Sequence, residues 1–394
     1  MTSLRRDIGL LYAFQFLMGL VFFLPVAALY FTDIAGSARG AMLVFATMNI
    51  TAALCDIPAG SIADKFGRKL CLILSSVFNV AALILYASAH SLPTLLIGGM
   101  LWGCANALMS GIAMAMLYDV LHAGNRAEDF KHINARIQTA VPLGFALSSL
   151  AGGFLADVDL RWTVIASVIP AALLVPLTFF LREPAIGKPH GNTLLGHAGH
   201  TALYILRHSS LLSLFAIGVF GWSIGQAVFN LSSLFYEEIG LSNGTIGIVN
   251  ALTFVISMAG FLAATPLSRL IGDRATLLLS VVLHTGLWIA ATFMKGNFVM
   301  LPLAVAGMAF AIRMPIEHHL TNIFVESPMR GTLLSMKSLV DRAAIALAAF
   351  VSSMLIDSIS AAATIRIFSA VMAINLLFVL LLKIPQHSSE KTVD

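Results

Sequence analysis

The chain has 394 residues, of which 59% are hydrophobic and only 11% are charged. A soluble domain carries about 25% charged residues, so this chain lacks the polar residues that a soluble surface needs. The composition also excludes a disordered or collagen-like chain. The three cysteines, Cys55, Cys71 and Cys104, lie inside apolar runs without disulfide-framework or metal-ligand spacing. Long unbroken apolar runs, in place of short alternating ones, predict membrane-spanning helices rather than a barrel.

Twelve stretches are long and apolar enough to cross a bilayer, which takes about 20 residues of helix. The predicted spans are residues 8–31, 40–62, 70–89, 93–121, 130–155, 162–181, 210–236, 243–270, 275–294, 298–325, 330–356 and 360–383. The first follows Arg5 and Arg6 but is too long for the apolar region of a signal peptide. The predicted fold class is an all-α integral membrane protein with twelve transmembrane helices.

Lysine and arginine residues cluster between alternate spans. If the N-terminus lies inside, seventeen fall on the inner side, four on the outer side, and Arg313 and Arg342 fall within spans. Because cytoplasmic loops are enriched in these residues, we expect a multi-pass protein of the cytoplasmic (inner) membrane with both termini cytoplasmic. The net charge of +4 is spread over these short clusters, so we expect the lipid bilayer, and not nucleic acid, as a partner.

A long polar break divides the chain into two halves of six spans each. The predicted domains are an N-terminal bundle at 1–181, a cytoplasmic linker at 182–209, a C-terminal bundle at 210–383 and a cytoplasmic tail at 384–394. The linker includes a predicted helical stretch at 193–207. His197 and His200 lie three residues apart within it, but a solvated linker explains them better than a metal site, and no metal is predicted.

The two halves of the chain are similar to each other at two loops. Gly67-Arg68-Lys69 matches Gly272-Asp273-Arg274, and Leu117-Tyr118-Asp119 matches Leu320-Thr321-Asn322, with offsets of about 204 residues. Similar offsets at two separate loops indicate a duplicated six-helix unit. Two such bundles around a central site are a common plan among transporters.

The loop between the second and third spans carries the most specific motif. It reads Gly60-Ser61-Ile62-Ala63-Asp64-Lys65-Phe66-Gly67-Arg68-Lys69. This resembles the G-x-x-x-D-[RK]-x-G-R-[RK] loop of the major facilitator superfamily, and with twelve spans and a central linker the resemblance covers the whole chain. It implies two pseudo-symmetric six-helix bundles and a monomeric protein. In that family the loop joins the two halves on the cytoplasmic side and favours the outward-open state.

Carried onto this sequence, the resemblance implies a conformational latch rather than a substrate site. Its predicted members are Gly60, Asp64, Lys65, Gly67, Arg68, Lys69 and Asp119. Asp64 is expected to face the start of the eleventh span, near residues 331–335, and Arg68 to pair with Asp119 at the inner end of the fourth. Glycine suits both the close helix approach at Gly60 and the tight turn at Gly67.

The tenth span holds two charges, Arg313 and Glu317, that share one helix face because they are four residues apart. Each costs about 2.5–3.5 kcal/mol at a helix centre, so they face either each other or a cavity. The first alternative is a pair that locks the helix. In the second, Glu317 is the proton-coupling carboxylate, and Arg313 tunes it or meets an anionic substrate group. His318 or His319 offers a second titratable group, and one of them is expected to face inward.

Further candidates come from the other spans. Asp56, in the inner part of the second span, either titrates or belongs to the latch, and Asp341 and Arg342 are expected to be inter-helix structural charges. The family plan places spans one, four, seven and ten around the cavity. These contribute Gln15, Asn106, Met109, Met114, Trp222, Gln226 and Asn230. The set describes a mainly apolar cavity with a few amides.

The sequence has no Gly-rich phosphate loop and no Gly-x-Ser-x-Gly nucleophile motif. We therefore predict no enzyme and no cofactor, with the proton gradient as the driving force. The resemblance is to bacterial drug– or solute–proton efflux proteins, although the acid in the first span and the Gly-Pro pair in the fifth that mark many of them are missing. The predicted function is proton-coupled efflux of small amphiphilic or hydrophobic molecules by alternating access. The alternatives are proton-coupled uptake of a small, possibly anionic, organic solute, and a lipid translocator or receptor.

Overall fold

The computed structural model describes residues 2–183, 203–324 and 330–383. Twelve helical segments in these ranges are long and apolar enough to cross a membrane. Spans 1 to 12 are Leu4–Ala35, Ala38–Ala63, Arg68–Ala87, Leu92–Ala123, His132–Val158, Leu160–Phe180, Ser209–Glu238, Asn243–Ile271, Asp273–Ala291, Gly296–Thr321, Leu333–Leu355 and Ala361–Leu381. Each coincides with a predicted apolar run to within a few residues, and the described ranges contain no β-strand. The predicted all-α fold class is confirmed.

The predicted linker and tail fall mainly outside the described residues. Residues 203–207 are helical, in agreement with the C-terminal end of the helical stretch predicted at 193–207. The rest of that stretch, with His197 and His200, and the tail at 384–394 lie outside the described residues.

Seven of the spans rest on a single continuous helix. These helices are Ala38–Phe66, Arg68–Ala87, Leu160–Phe180, Asn243–Ile271, Asp273–Ala291, Met300–Phe324 and Arg330–Leu355. Long apolar stretches with good helix-forming residues explain this continuity, because a helix satisfies all of its backbone hydrogen bonds within the hydrocarbon. Span 5 consists of two helices, Phe130–Gln138 and Ala140–Val158, that meet at Thr139.

Spans 1 and 4 are interrupted within the membrane. Span 1 contains the helices Thr2–Gly19 and Ala27–Ala35, and span 4 contains Leu92–Met109 and Ile112–Ala123. In span 1 the break includes Pro25, which has no N–H to donate to the preceding turn. In span 4 the break falls at Gly111, whose φ of 70° suits glycine. Both breaks place irregular backbone inside the bundle.

Spans 7 and 12 are also irregular. Span 7 contains the helices Ser209–Ile217 and Ile224–Glu238, joined by a π-helical turn at Gly218–Ser223, and span 12 contains Ala361–Met372 and Asn375–Leu381. A π-helical turn is wider than an α-helical one and often occurs at functional sites. Three of the five interrupted spans, 1, 4 and 7, belong to the set predicted to surround the cavity.

Two equivalent glycines make the one-residue turns between spans 2 and 3 and between spans 8 and 9. Gly67 has φ 95° and ψ 161°, and Gly272 has φ 83° and ψ 155°. Each N–H donates to the carbonyl four residues earlier, that of Ala63 at 3.1 Å and that of Ser268 at 2.8 Å. The same backbone geometry at both positions supports the duplicated unit. We call the side of the molecule that carries these glycines the loop face, and the opposite side the far face.

Apolar packing joins the two bundles on the far side. One large cluster near the far face takes buried residues from both halves of the chain, among them Phe31 and Phe235. The clusters near the loop face each belong to one half: those around Leu117 and Cys71 to the first, and that around Ile316 to the second. The two bundles are therefore closed against each other at the far face, and the space between them opens toward the loop face.

Spans 5 and 8 form a close backbone contact within this closure. A Cβ atom at Gly153 would lie 2.7 Å from the Cα of Gly247, and one at Gly247 would overlap the carbonyl oxygen of Ser149. Nearby, the N–H of Gly244 donates to the Asp157 carboxylate at 3.1 Å. The far-face closure therefore depends on the absence of side chains at two facing glycines.

We expect Gly247→Val to push the bundles apart at the far face, because the added side chain has no room against span 5. Gly286→Val is the matched control, since nothing lies within 4 Å of a Cβ at that position. The measurement is a distance distribution between spin labels at His90 and Lys295, on exposed far-face loops of the two bundles, in a background without native cysteines. An unchanged distance in the Gly247 variant would contradict the backbone contact.

Candidate functional site

A cavity of about 360 Å³ lies between the bundles, bounded by spans 2, 4 and 11. Its lining consists of Asp56, Ile57, Ala59, Gly60, Ala107, Ser110, Gly111, Ile112, Leu334, Ser335, Met336, Ser338 and Leu339. Most of these side chains are apolar, and Asp56 is the charged one. Such a lining suits a ligand with a large apolar part and a small polar group.

Asp56 connects the two bundles. Its Oδ2 atom lies 2.7 Å from Nε of Arg342 in span 11 and accepts a hydrogen bond of 3.3 Å from the Ser338 hydroxyl. Its other oxygen, Oδ1, is buried and has no hydrogen-bond partner among the described residues. Asp56 and Arg342 are thus a half-buried ion pair across the interface. This agrees with the inter-helix role predicted for Arg342.

Asp341 was predicted to be an inter-helix charge, but its ion-pair partner lies on its own helix. The Asp341 carboxylate accepts a hydrogen bond of 2.6 Å from Nζ of Lys337, four residues earlier on the same helix. The pair lies within one helix rather than between two, because the i, i+4 spacing brings both side chains to one face. Lys337 is one of the seventeen cations that the sequence count assigned to the inner side, but it lies inside span 11.

Arg313 and Glu317 form a buried ion pair in span 10. Nε of Arg313 lies 2.5 Å from Oε1 of Glu317, and the two residues are only 3% and 7% exposed. The guanidinium lies over the Phe310 ring, 5.0 Å from its centroid. A Cβ at Gly221 in the π-helical turn would overlap it. In this state Arg313 and Glu317 face each other, as in the first of the two alternatives from the sequence, a pair that locks the helix. The proton-coupling role of Glu317 stays a prediction.

Two buried polar residues beside this pair were not singled out from the sequence. Nδ1 of His284 in span 9 lies 2.9 Å from the carbonyl oxygen of Ala306. A carbonyl only accepts, so Nδ1 carries the hydrogen and Nε2 is left as an acceptor with no partner among the described residues. Asn375 in span 12 donates to the Ile217 carbonyl at 3.5 Å, and its Oδ1 is likewise unpartnered. A lone histidine or asparagine inside an apolar run was the signal for both.

The remaining residues predicted for the cavity lie in several places. Trp222 stacks on Phe310 at 5.4 Å, which places it beside Arg313. Gln226 donates to Asn230 at 3.3 Å, and Gln15 donates to Gln138 of span 5 at 3.3 Å. Met109 and Asn106 are half-buried, and the Asn106 amide donates to the Trp102 carbonyl on its own helix. Met114, His318 and His319 are exposed. Among the residues predicted for proton coupling or the substrate cavity, Asp56 is the one that lines the cavity between spans 2, 4 and 11.

The predicted pairing of Arg68 with Asp119 is confirmed, since the two side chains form an ion pair. The Arg68 and Lys69 N–H groups at the start of span 3 donate to the Glu183 carboxylate at 2.9 and 2.7 Å. A carboxylate is favoured at a helix N-terminus by the helix dipole. The sequence analysis did not identify Glu183 as a partner of this loop. The available indication was an acidic residue just after the end of span 6.

The loop is attached in this state to its own bundle. Besides Asp119 and Glu183, the Phe179 carbonyl accepts a hydrogen bond of 2.8 Å from Nζ of Lys69, and Nζ of Lys65 lies over the neighbouring Phe66 ring. The side chains of Asp64 and of residues 330–332 fall outside what the structure describes, so the predicted contact of Asp64 with span 11, and with it the latch, stays a prediction.

We expect exchange of the charges at Arg68 and Asp119 to restore stability that each single change removes. Arg68→Asp and Asp119→Arg each place like charges together, whereas the double variant recreates an opposite pair. Because both side chains are about 30% exposed, the coupling should be small, about 0.5–1 kcal/mol. Thermal unfolding of the two singles and the double variant measures it, and strictly additive effects would contradict the pair.

We expect Asp56→Asn to loosen the two bundles at the loop face, because Arg342 loses its partner across the interface. Asp341→Asn is the matched control: it removes a carboxylate of similar burial whose partner, Lys337, lies on the same helix. Spin labels at Glu128 and Arg269, exposed positions near the loop face, report the distance. Broadening in the Asp56 variant alone is the expected result. Equal broadening in both variants would show that the Asp56–Arg342 pair does not hold the bundles together.

The sequence pattern of the Major Facilitator Superfamily matches residues 9–316 of the chain. Multidrug resistance protein 1 of Bacillus subtilis (strain 168) is 26% identical over 284 residues, 68% of this chain and 68% of that protein. Quinolone resistance protein NorA of Staphylococcus aureus (strain MRSA252) is 23% identical over 195 residues, 49% of this chain and 48% of NorA. The chain therefore spans about half the length of the NorA proteins that it matches.

Solved structures show the same fold at low sequence identity. The nucleoside transporter NupG superposes with a TM-score of 0.78 and 15% identity, over 97% of this chain and 99% of that one. The inward-open xylose transporter XylE from E. coli superposes with a TM-score of 0.72 and 15% identity, over 96% and 95% of the two chains. The family match and these structures agree with the twelve-span architecture. The chain belongs to the major facilitator superfamily of membrane transporters.

Proposed function

We propose that the protein exports small amphiphilic or hydrophobic molecules in exchange for protons. The observation that carries this proposal is the buried Arg313–Glu317 pair, which places a carboxylate beside a guanidinium inside the C-terminal bundle. The names of the similar multidrug and quinolone resistance proteins support export. Export and import share this fold, so the direction rests on those relatives and on the cavity rather than on the architecture.

The orientation follows from the charges at the loop face. Arg68, Lys69, Arg126, Arg269 and Arg274 all lie at ends of spans on this face. Lysine and arginine are retained on the cytoplasmic side of membranes, so we assign the loop face to the cytoplasm and the far face to the outside. Both termini are then cytoplasmic, in an inner membrane, and the space between the bundles in this state is open to the inside.

Proton binding at Glu317 would change the balance of charge inside the C-terminal bundle. In a low-dielectric interior, an ionised carboxylate stabilises the Arg313 guanidinium, and a protonated one leaves that cation without a counter-ion. Nε2 of His284 and Oδ1 of Asn375 are unpartnered acceptors beside this cluster. Protonation therefore favours a new arrangement of Arg313 among spans 9, 10 and 12.

The π-helical turn of span 7 connects this charge change to the backbone. A Cβ at Gly221 would meet the Arg313 guanidinium, and a Cβ at Gly218 would lie 2.6 Å from Nζ of Lys337. Both cations thus pack directly on span 7 where its helix is widest. A shift of Arg313 requires span 7 to follow, and span 7 contacts the N-terminal bundle at the far face. This gives a route from proton binding to opening of the far face.

The cavity favours apolar substrates. Its lining includes many small aliphatic side chains with three serines and Asp56, and Met336 can adapt to ligands of different shape. Uptake of an anionic solute bound by Arg313, the alternative from sequence, finds less support because this guanidinium is buried and already paired. The driving force is the proton gradient, the protein needs no cofactor, and it acts as a monomer.

We expect Glu317→Gln to abolish proton-coupled transport while leaving substrate exchange intact, because the amide cannot take up and release a proton. Everted membrane vesicles with an acid interior are given cationic, neutral and anionic compounds, and loss of the gradient is followed. Export predicts compound-dependent loss of the gradient in the wild type and none in the variant.

The matched control is Glu237→Gln, which changes an exposed carboxylate at the far face and should transport normally. Substrate exchange without a gradient, measured on the same preparations, shows whether the Glu317 variant is folded. Pumping that persists in the Glu317 variant would remove this residue from proton coupling. A response only in right-side-out vesicles, as uptake, would replace export by the alternative function.

A further inference from the structure

Two thiols from different helices lie in contact inside the N-terminal bundle. Sγ of Cys55 in span 2 is 3.2 Å from Sγ of Cys104 in span 4. Both side chains are half-buried, and both cysteines are free. The sulfur atoms of two thiols therefore occupy one place in the fold, which no part of the transport proposal uses.

Backbone packing fixes this contact. A Cβ at Gly99 would lie 3.4 Å from the carbonyl oxygen of Val44, and one at Gly103 would overlap that of Met48 and lie 3.0 Å from the amide nitrogen of Ala52. Spans 2 and 4 thus touch backbone to backbone directly before the two cysteines. Close helix approach of this kind requires small residues. The sulfur atoms are held together by the helices themselves rather than by a chance choice of side-chain rotamers.

We propose that Cys55 and Cys104 form a dithiol site for soft electrophiles that can bond to two sulfur atoms at once, with trivalent organoarsenicals as the chemical class. Two sulfur atoms in contact match the span of a single arsenic centre. In the reaction, a phenylarsenic(III) centre with two hydroxyl groups breaks both As–O bonds and forms two As–S bonds. The two thiol protons leave with the hydroxides as two molecules of water, and arsenic stays in its +3 state.

The reagent reaches the site through the lipid. Leu54, next to Cys55, is 71% exposed, and Met100, one turn before Cys104, is also exposed. These apolar side chains lie on membrane-spanning helices, so their exposed surface faces the hydrocarbon. A neutral, lipophilic arsenical partitions there, whereas a charged thiol reagent does not. The third cysteine, Cys71 of span 3, is fully buried, with its Sγ 3.9 Å from the Ala59 carbonyl oxygen.

The test uses the full chain in lipid nanodiscs treated with phenylarsine oxide and then washed with an excess of a monothiol. Only a chelated arsenic survives the wash, because the second As–S bond forms within the protein and raises retention by at least about a hundredfold. We expect one phenylarsenic group per wild-type chain, with loss of two titratable thiols. Cys55→Ser and Cys104→Ser should each lose the retained label, and Cys71→Ser, the matched control, should keep it.

A second measurement needs no variant and so does not depend on the folding of one. Cleavage after methionine separates Cys104, in residues 101–109, from Cys55 and Cys71, in residues 49–100. Labelled wild-type protein should yield these two fragments as one species joined through arsenic. Retention in both the Cys55 and the Cys104 variants, or two separate fragments from labelled protein, would overturn the site. Loss of label in the Cys71 variant alone would overturn it as well.

Discussion

The hydrocarbon core of a membrane cannot solvate a charge, and this constraint organises the polar interior of the protein. Every ionised side chain inside a span must find an opposite charge or a hydrogen-bond partner. Three of the ion pairs in the described spans illustrate this: Arg313 with Glu317, Lys337 with Asp341, and Arg342 with Asp56. The first two lie within single helices, whereas the third crosses between the bundles. Charge pairing therefore stabilises each helix and also connects the two halves of the molecule.

The twelve spans could be predicted because length and hydropathy decide whether a helix crosses a membrane, and both are local properties. The Arg68–Asp119 pair could be predicted because a recognisable loop carries one partner. The partner of Asp56 could not, since nothing in the sequence near Arg342 indicates span 2. His284 and Asn375 were passed over for a related reason. Their roles depend on hydrogen-bond partners on other helices. An isolated polar residue in an apolar run does not identify those partners.

Close backbone contact is the second constraint, and glycine makes it possible at several separate points. Gly153 and Gly247 close the far face, Gly99 and Gly103 seat span 4 on span 2, and Gly221 leaves room for the Arg313 guanidinium. In each case the space of one missing side chain is used by a neighbouring backbone or charge. The contacts that join helices closely and the contact that accommodates a buried charge thus depend on the same residue type.

The two bundles repeat one backbone plan but differ in charge. Gly67 and Gly272 have the same conformation, yet Glu183 caps the helix after the first, whereas Asp273 on the helix itself follows the second. The Arg313–Glu317 and Lys337–Asp341 pairs lie within helices of the C-terminal bundle, and the N-terminal bundle contributes Asp56 at the interface. In the proposed mechanism, a proton bound by one bundle changes the contacts of that bundle with a partner whose charges stay the same. This inequality is how the proposal connects a local protonation to a relative movement of the bundles.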